Sequence, residues 1–310
     1  MFDDPPGKPQ TVGDLIGRSF RLYRRQIGLL FRTLIGPTIF AAIGALGLQF
    51  FIYRAIDNSM EPVYMPYVAC AGSLMVLLVA NLVSTLRQLA FVRMTAGFDN
   101  NYATAQQVVS RQKWQLLALF VIGFGASVLF TIFWVVVIVV AAILTKAGSL
   151  AMVAGVAAMF ATPFGLLVGT NTFVVVGFLA ICVLACEKQG IGTVINRALG
   201  LTFGDFWRTL GFGLLLYTVI YAISIPLTLP VIVASGIDVY QHGITSANER
   251  ELYEMPLYLM VLTQSYQSLV NMLLWPVSFM AFGLFYHDLR LRQEGLDIRR
   301  QLETLERSAS

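Results

Sequence analysis

Six runs of this chain contain no Asp, Glu, Lys, Arg or His: Thr33 to Tyr53, Pro62 to Leu86, Trp114 to Thr145, Ala147 to Cys186, Thr209 to Ile237 and Met255 to Tyr286. Each meets or exceeds the ~20 apolar residues with which an α-helix crosses the hydrocarbon of a bilayer. Short alternating segments separated by turns would suggest an outer-membrane barrel, whereas uninterrupted runs of this length are a helical signal. The expected fold is therefore all-α: a polytopic membrane protein with about six transmembrane helices. Composition agrees, since 57% of the 310 residues are hydrophobic and 12% are charged, against roughly a quarter charged in a soluble domain.

The start, "MFDDPPGKPQ", is acidic and proline-rich and reads as neither a signal peptide nor a myristoylation site, and the final "RSAS" is no prenylation box. No processed segment is expected. Cys70, Cys182 and Cys186 all fall inside apolar runs, where cysteine behaves as a small buried hydrophobe and implies no disulfide framework.

Placing the connecting segments on alternate sides leaves Arg54, Lys146 and Arg250 on one side and the other eighteen Lys and Arg on the opposite side. By the positive-inside rule both termini are expected in the cytoplasm, N-in and C-in. The run Ala147 to Cys186 is 40 residues long and is interrupted by Thr162-Pro163. Two spans there would carry the Arg-rich C-terminal tail outside. Ser149 to Ala161 is accordingly read as an interfacial or re-entrant helix, and Phe164 to Cys186 as the fourth span.

Between Thr11 and Ile27, Val12, Leu15, Ile16, Phe20, Tyr23 and Ile27 recur at helical spacing opposite a stripe of Asp14, Arg18, Arg21 and Arg25. Thr11 followed by Asp14 resembles a capping box. This predicts an amphipathic helix lying in the cytoplasmic headgroup plane. Similar helices are expected near Thr104 to Gln115 and Gly190 to Phe203. The first and third align, Val12-Gly13, Ile16, Arg18 and Leu22 recurring as Ile191-Gly192, Ile195, Arg197 and Leu201. The plan is a single membrane domain over 1–310, built from three units of surface helix plus two-span hairpin (11–99, 100–189 and 190–290). A disordered N-terminal tail (1–10) and a cytoplasmic C-terminal helix or tail (291–310) flank them.

The strings "LLFRTL", ending at Leu34, and "FWRTL", ending at Leu210, each stand where a surface helix is expected to turn into a span. An aromatic ring is comfortable there, and an Arg can bury its stem while its guanidinium reaches phosphate. Ordinary interface anchoring explains both. A dedicated anionic-lipid site would use Arg18, Arg21, Arg25, Arg32 and Arg208 as headgroup contacts. In the sixth run, Gln264, Gln267, Ser268 and Asn271 form a polar stripe at i, i+3, i+4, i+7, with Asn81 and Asn171 as possible companions. Polar adhesion between helices is one account of that stripe, and a cavity for a neutral or zwitterionic ligand is the other.

No catalytic or metal-binding constellation emerges. The chain has two histidines, His242 and His287. The His287-Asp288 pair reads as an interface residue and an ion-pairing carboxylate, and Cys182 with Cys186 reads as packing. The six runs carry no Asp, Glu, Lys, Arg or His, which argues against a proton relay. In the tail, Ile298, Leu302 and Leu305 form an apolar stripe, and its Arg residues are balanced by Asp and Glu, unlike a nucleic-acid binder. No cofactor and no nucleic-acid partner are expected.

Two stretches, "LACEKQGIGTVINRALGLTFGDFWRTLGFGLLL" from Leu184 and "LFYHDLRLRQEGLDIRR" from Leu284, carry Glu187, Gly190, the Phe-Trp-Arg elbow, and Tyr286, Asp288, Arg290, Arg292, Glu294, Gly295 and Asp297. These motifs resemble a bacterial integral-membrane family named for the membrane domain of glycerophosphoryl diester phosphodiesterases, with Ala198 where a Ser is common. The resemblance implies a polytopic membrane module and not the phosphodiesterase activity, which belongs to a separate soluble barrel. Taken together, the sequence leads to a non-catalytic protein of the bacterial cytoplasmic membrane, or an equivalent energy-transducing membrane. Its expected role is to organise the membrane, bind lipids or associate with other membrane subunits or with itself. A permease or lipid-handling transporter is the alternative.

Overall fold

The computed structural model describes residues 10–56, 64–99, 101–145, 149–187, 189–238, 240 and 256–295. Among the described residues there is no strand, and the chain forms eight α-helices. These are α1 (Val12–Ile56), α2 (Tyr64–Thr95), α3 (Tyr102–Ser110), α4 (Lys113–Leu144), α5 (Ser149–Cys186), α6 (Ile191–Gly204), α7 (Phe206–Asp238) and α8 (Leu257–Glu294). All but α3 and α6 are long and apolar enough to cross a membrane. The protein is thus all-helical with six transmembrane-length helices, as the charge-free runs predict. The C-terminal stripe Ile298, Leu302 and Leu305, and His242, lie outside the described residues.

Local chemistry explains several helix boundaries. At the start of α1 the Thr11 hydroxyl oxygen accepts the Asp14 N–H at 3.2 Å and the hydroxyl donates to the Asp14 carboxylate at 2.6 Å, half of the reciprocal pair that a capping box makes. The Asn101 side chain accepts from the Ala103 N–H and caps α3. Asp205, at φ −141° and ψ 59°, leaves helical geometry and separates α6 from α7.

Two expected breaks do not occur. The N-terminal amphipathic segment is continuous with the first span in α1, so "LLFRTL" is no elbow. The third copy differs because Gly204-Asp205 supplies residues of low helix propensity at the turn, while Leu29 and Leu30 in the first copy favour continuation. In the middle copy α3 ends at Ser110, and Arg111-Gln112 form a turn before α4, so the surface helix is shorter than the expected Thr104 to Gln115.

The segment Ser149 to Ala161 is likewise part of α5, a helix of 38 residues that runs through Pro163. At ~1.5 Å per residue it extends about 57 Å. Its first half is held by α4: a Cβ on Gly155 would come within 2.7 Å of the Thr145 nitrogen and 2.9 Å of the Ala141 carbonyl oxygen. The same antiparallel register continues through Gly165 against Trp134 and Gly169 against Phe130. The segment therefore lengthens the α4–α5 hairpin as part of one continuous helix, without the break expected at Thr162-Pro163.

The helices divide into two compact units. One comprises Leu89–Leu216 with the residues up to Leu15 and from Phe282 on. Its core stacks Phe178 on Phe282 (4.5 Å between centroids) and Phe212 on Phe285 (3.9 Å), around buried Leu179, Val183, Val194, Ala198 and Leu289. The other comprises Ile16–Gln88 and Tyr217–Ala281. There α1 and α2 form an antiparallel pair drawn close at Gly44 and Gly47, where a Cβ would meet the Leu77 nitrogen at 2.8 Å and the Ser73 hydroxyl at 2.5 Å. Small residues allow such approach between apolar helices.

Candidate functional site

In the first unit, the residues that carry the sequence motifs converge on two carboxylates. Asp288 on α8 is fully buried. It accepts the backbone N–H of Gln10 at 2.7 Å, Arg208 Nη2 at 2.6 Å and Arg292 Nε at 3.1 Å. The Gln10 carbonyl accepts in turn from Arg208 Nη2 at 2.7 Å and Arg292 Nη2 at 3.1 Å. The backbone of one residue is thus gripped at both its polar atoms, its N–H by a carboxylate and its carbonyl by two guanidiniums. Three donors on a desolvated carboxylate are what a buried charge requires.

Glu187, just past the end of α5, is the second centre. It accepts Arg197 Nε from α6 at 2.8 Å and the Tyr286 hydroxyl, and Arg290 Nε lies 3.9 Å away. Arg93 at the end of α2 donates from Nε to Asp99 at 2.5 Å and from Nη1 to the Ala185 carbonyl. Phe98 lies beneath both Arg93 and Arg290, with 5.8 and 5.9 Å to the ring centroid. The ends of α2, α5, α6, α7 and α8 and the segment before α1 are therefore joined by charge-assisted hydrogen bonds. This polar layer gives a physical reason for the spacing of Tyr286, Asp288, Arg290 and Arg292, which turns alternate side chains of α8 towards different partners.

Arg208, expected at a lipid headgroup, lies in this layer. The other four candidate headgroup contacts are on α1. Arg21, Arg25 and Arg32 are exposed, as is Arg24, while Arg18 is half-buried. On α8, Gln267 and Asn271 are exposed and 3.4 Å apart, Nε2 donating to Oδ1, while Gln264 and Ser268 are half-buried. Asn81 donates to the Leu77 carbonyl of its own helix. Asn171 is buried in the first unit and donates from Nδ2 to the Leu210 carbonyl, tying α5 to α7. Cys182 and Cys186 are buried free thiols.

The second unit holds a feature that the sequence reading did not single out. Between the close approach at Gly44 and the end of the hairpin that carries Arg87, α1 and α2 leave a cleft of about 510 Å³, lined by Gly36, Pro37, Phe40, Met75, Val76, Val79, Ala80, Val83 and Arg87. Its origin is readable in α1. Pro37 has no N–H, so the carbonyl four residues earlier, at Thr33, loses its helical donor. Arg87 Nη1 of α2 donates to that carbonyl instead. The available signal was a proline four residues after Thr33 together with the first Arg beyond the second charge-free run. No family model, curated protein or solved structure matches this chain.

Proposed function

We propose that this chain is a non-catalytic, multi-pass protein of the bacterial cytoplasmic membrane, with both termini on the cytoplasmic side, that binds anionic lipid headgroups along the start of α1. The observation that carries this reading is the exposed cluster Arg21, Arg24, Arg25 and Arg32 on a helix that runs without a break into a membrane-spanning stretch. Guanidiniums at that level meet lipid phosphate, and each basic residue near an anionic surface contributes ~1 kcal/mol. The motifs ending in Tyr286, Asp288, Arg290 and Arg292 support a place in the family named for the glycerophosphoryl diester phosphodiesterase membrane domain, as a membrane module alone. Those motif residues are engaged with one another and with the backbone of Gln10, which favours a framework role over a chemical one.

The test compares the wild-type chain with the triple variant R21Q/R24Q/R32Q in nanodiscs of phosphatidylglycerol and phosphatidylcholine. The lipids retained after purification are then quantified. Three Arg at ~1 kcal/mol each predict at least a roughly tenfold loss of phosphatidylglycerol enrichment, and a steep decline of the wild-type enrichment with salt. Equal enrichment in the two proteins would refute the reading.

A further inference from the structure

We propose that the α1–α2 cleft is a binding site for one acyl chain of an anionic phospholipid, with Arg87 holding the phosphate at its mouth. This deepens the lipid reading and rests on it, but it concerns different residues.

The cleft has the shape and chemistry of a lipid slot. Its wall is apolar throughout, Arg87 contributing its stem. Phe40, Met75 and Val79 on the wall are 62, 64 and 55% exposed, so the slot is open along its length to whatever surrounds the protein. From Val83 to Met75 it follows eight residues of α2, about 12 Å at the helical rise. One leaflet is ~15 Å deep, half of the ~30 Å hydrocarbon core, so the slot covers most of a lipid tail. The volume of about 510 Å³ falls within the roughly 300–1,000 Å³ of ligand sites.

Charge fixes which lipid it takes. Arg87 closes one end, and among the described residues no carboxylate pairs with it. A guanidinium has five N–H donors, of which Nη1 is engaged on the Thr33 carbonyl. That bond anchors the head of the side chain while leaving its charge uncompensated. A phosphodiester at the mouth of the slot meets the charge of Arg87, and the lipid's tail covers the apolar wall. A lipid with no net charge offers the same tail and a weaker partner.

Both parts can be altered separately. R87Q keeps a polar N–H donor on a shorter side chain and removes the charge, and R87K keeps the charge. At Gly36, a lining residue, an added Cβ would meet nothing within 4 Å, so G36L adds side-chain bulk to the slot wall without strain at its Cβ. The full chain in detergent is titrated with phosphatidylglycerol and with phosphatidylcholine of identical tails, and bound lipid is counted by native mass spectrometry. The wild type should retain one tightly bound phosphatidylglycerol per chain. R87Q should lose about fivefold in preference over phosphatidylcholine, the equivalent of ~1 kcal/mol. R87K should keep the preference, and G36L should lose the tight site for both lipids. Wild-type behaviour of R87Q and G36L overturns the proposal. Loss in G36L with full preference in R87Q overturns the assignment of the phosphate to Arg87. If R21Q/R24Q/R32Q loses anionic enrichment while the cleft variants behave as wild type, the slot is wrong and the surface reading stands. The converse pattern removes the surface reading and leaves the slot.

Discussion

Asp288 shows how much a single side chain is asked to hold. Its carboxylate is fully out of solvent and is met by a backbone N–H and two guanidiniums. The cost of desolvating it is offset only while all three donors stay in place. In D288N the amide presents a neutral oxygen and an NH2 group, and the NH2 cannot accept from Arg208 or Arg292. Removing one member of a buried ion pair typically costs 3–5 kcal/mol, so D288N should destabilise the protein by about 3 kcal/mol, seen as a lower unfolding midpoint in detergent. An unchanged midpoint would mean that the layer is ornamental. The same residue explains a limit of sequence reading. Arg32 and Arg208 sit in nearly identical strings, yet Arg32 is exposed and Arg208 is folded inward, because Asp288 lies 80 residues further along the chain and only the fold brings it within 2.6 Å.

Among helices, the decisive contacts are close approaches at small residues. Gly213 on α7 faces α5 so tightly that a Cβ would come within 2.6 Å of Asn171 Oδ1 and of Val175 Cγ2, whereas one at Gly211 would meet nothing within 4 Å. G213A should therefore cost about 1–3 kcal/mol through forced displacement, while G211A should be neutral or gain up to ~1 kcal/mol from helix propensity. Unfolding of the two variants by denaturing detergent, followed by circular dichroism, distinguishes them, and equal stability would contradict the α5–α7 packing. At this scale the spans were legible because a run of ~20 or more uncharged residues has one main use. Continuity was not. The Pro163 position suggested a break, but Gly155 lets the preceding half of α5 pack along α4. Thr162 also stays within the helix, its hydroxyl donating to the Ala158 carbonyl at 2.7 Å. Pro37 likewise leaves α1 intact, and its orphaned carbonyl recruits Arg87 from α2. In both cases the outcome depended on a neighbouring helix, which no local pattern encodes.

For the molecule as a whole, the account joins two facts about charge. Carboxylates and guanidiniums neutralise one another inside the first unit around Asp288 and Glu187, while the exposed Arg of α1 in the second unit and the end of the α1–α2 cleft carry positive charge. On the proposed reading, a membrane protein arranged in this way is a stable frame that presents cations to lipid. The most direct test extracts the unmodified chain from its own membrane into polymer-bounded discs and identifies by native mass spectrometry what remains attached. The account predicts at least one anionic phospholipid per chain, retained more tightly than zwitterionic lipid and displaced by high salt. A chain that carries no selected lipid, and instead holds a foreign protein subunit in fixed stoichiometry, would contradict it.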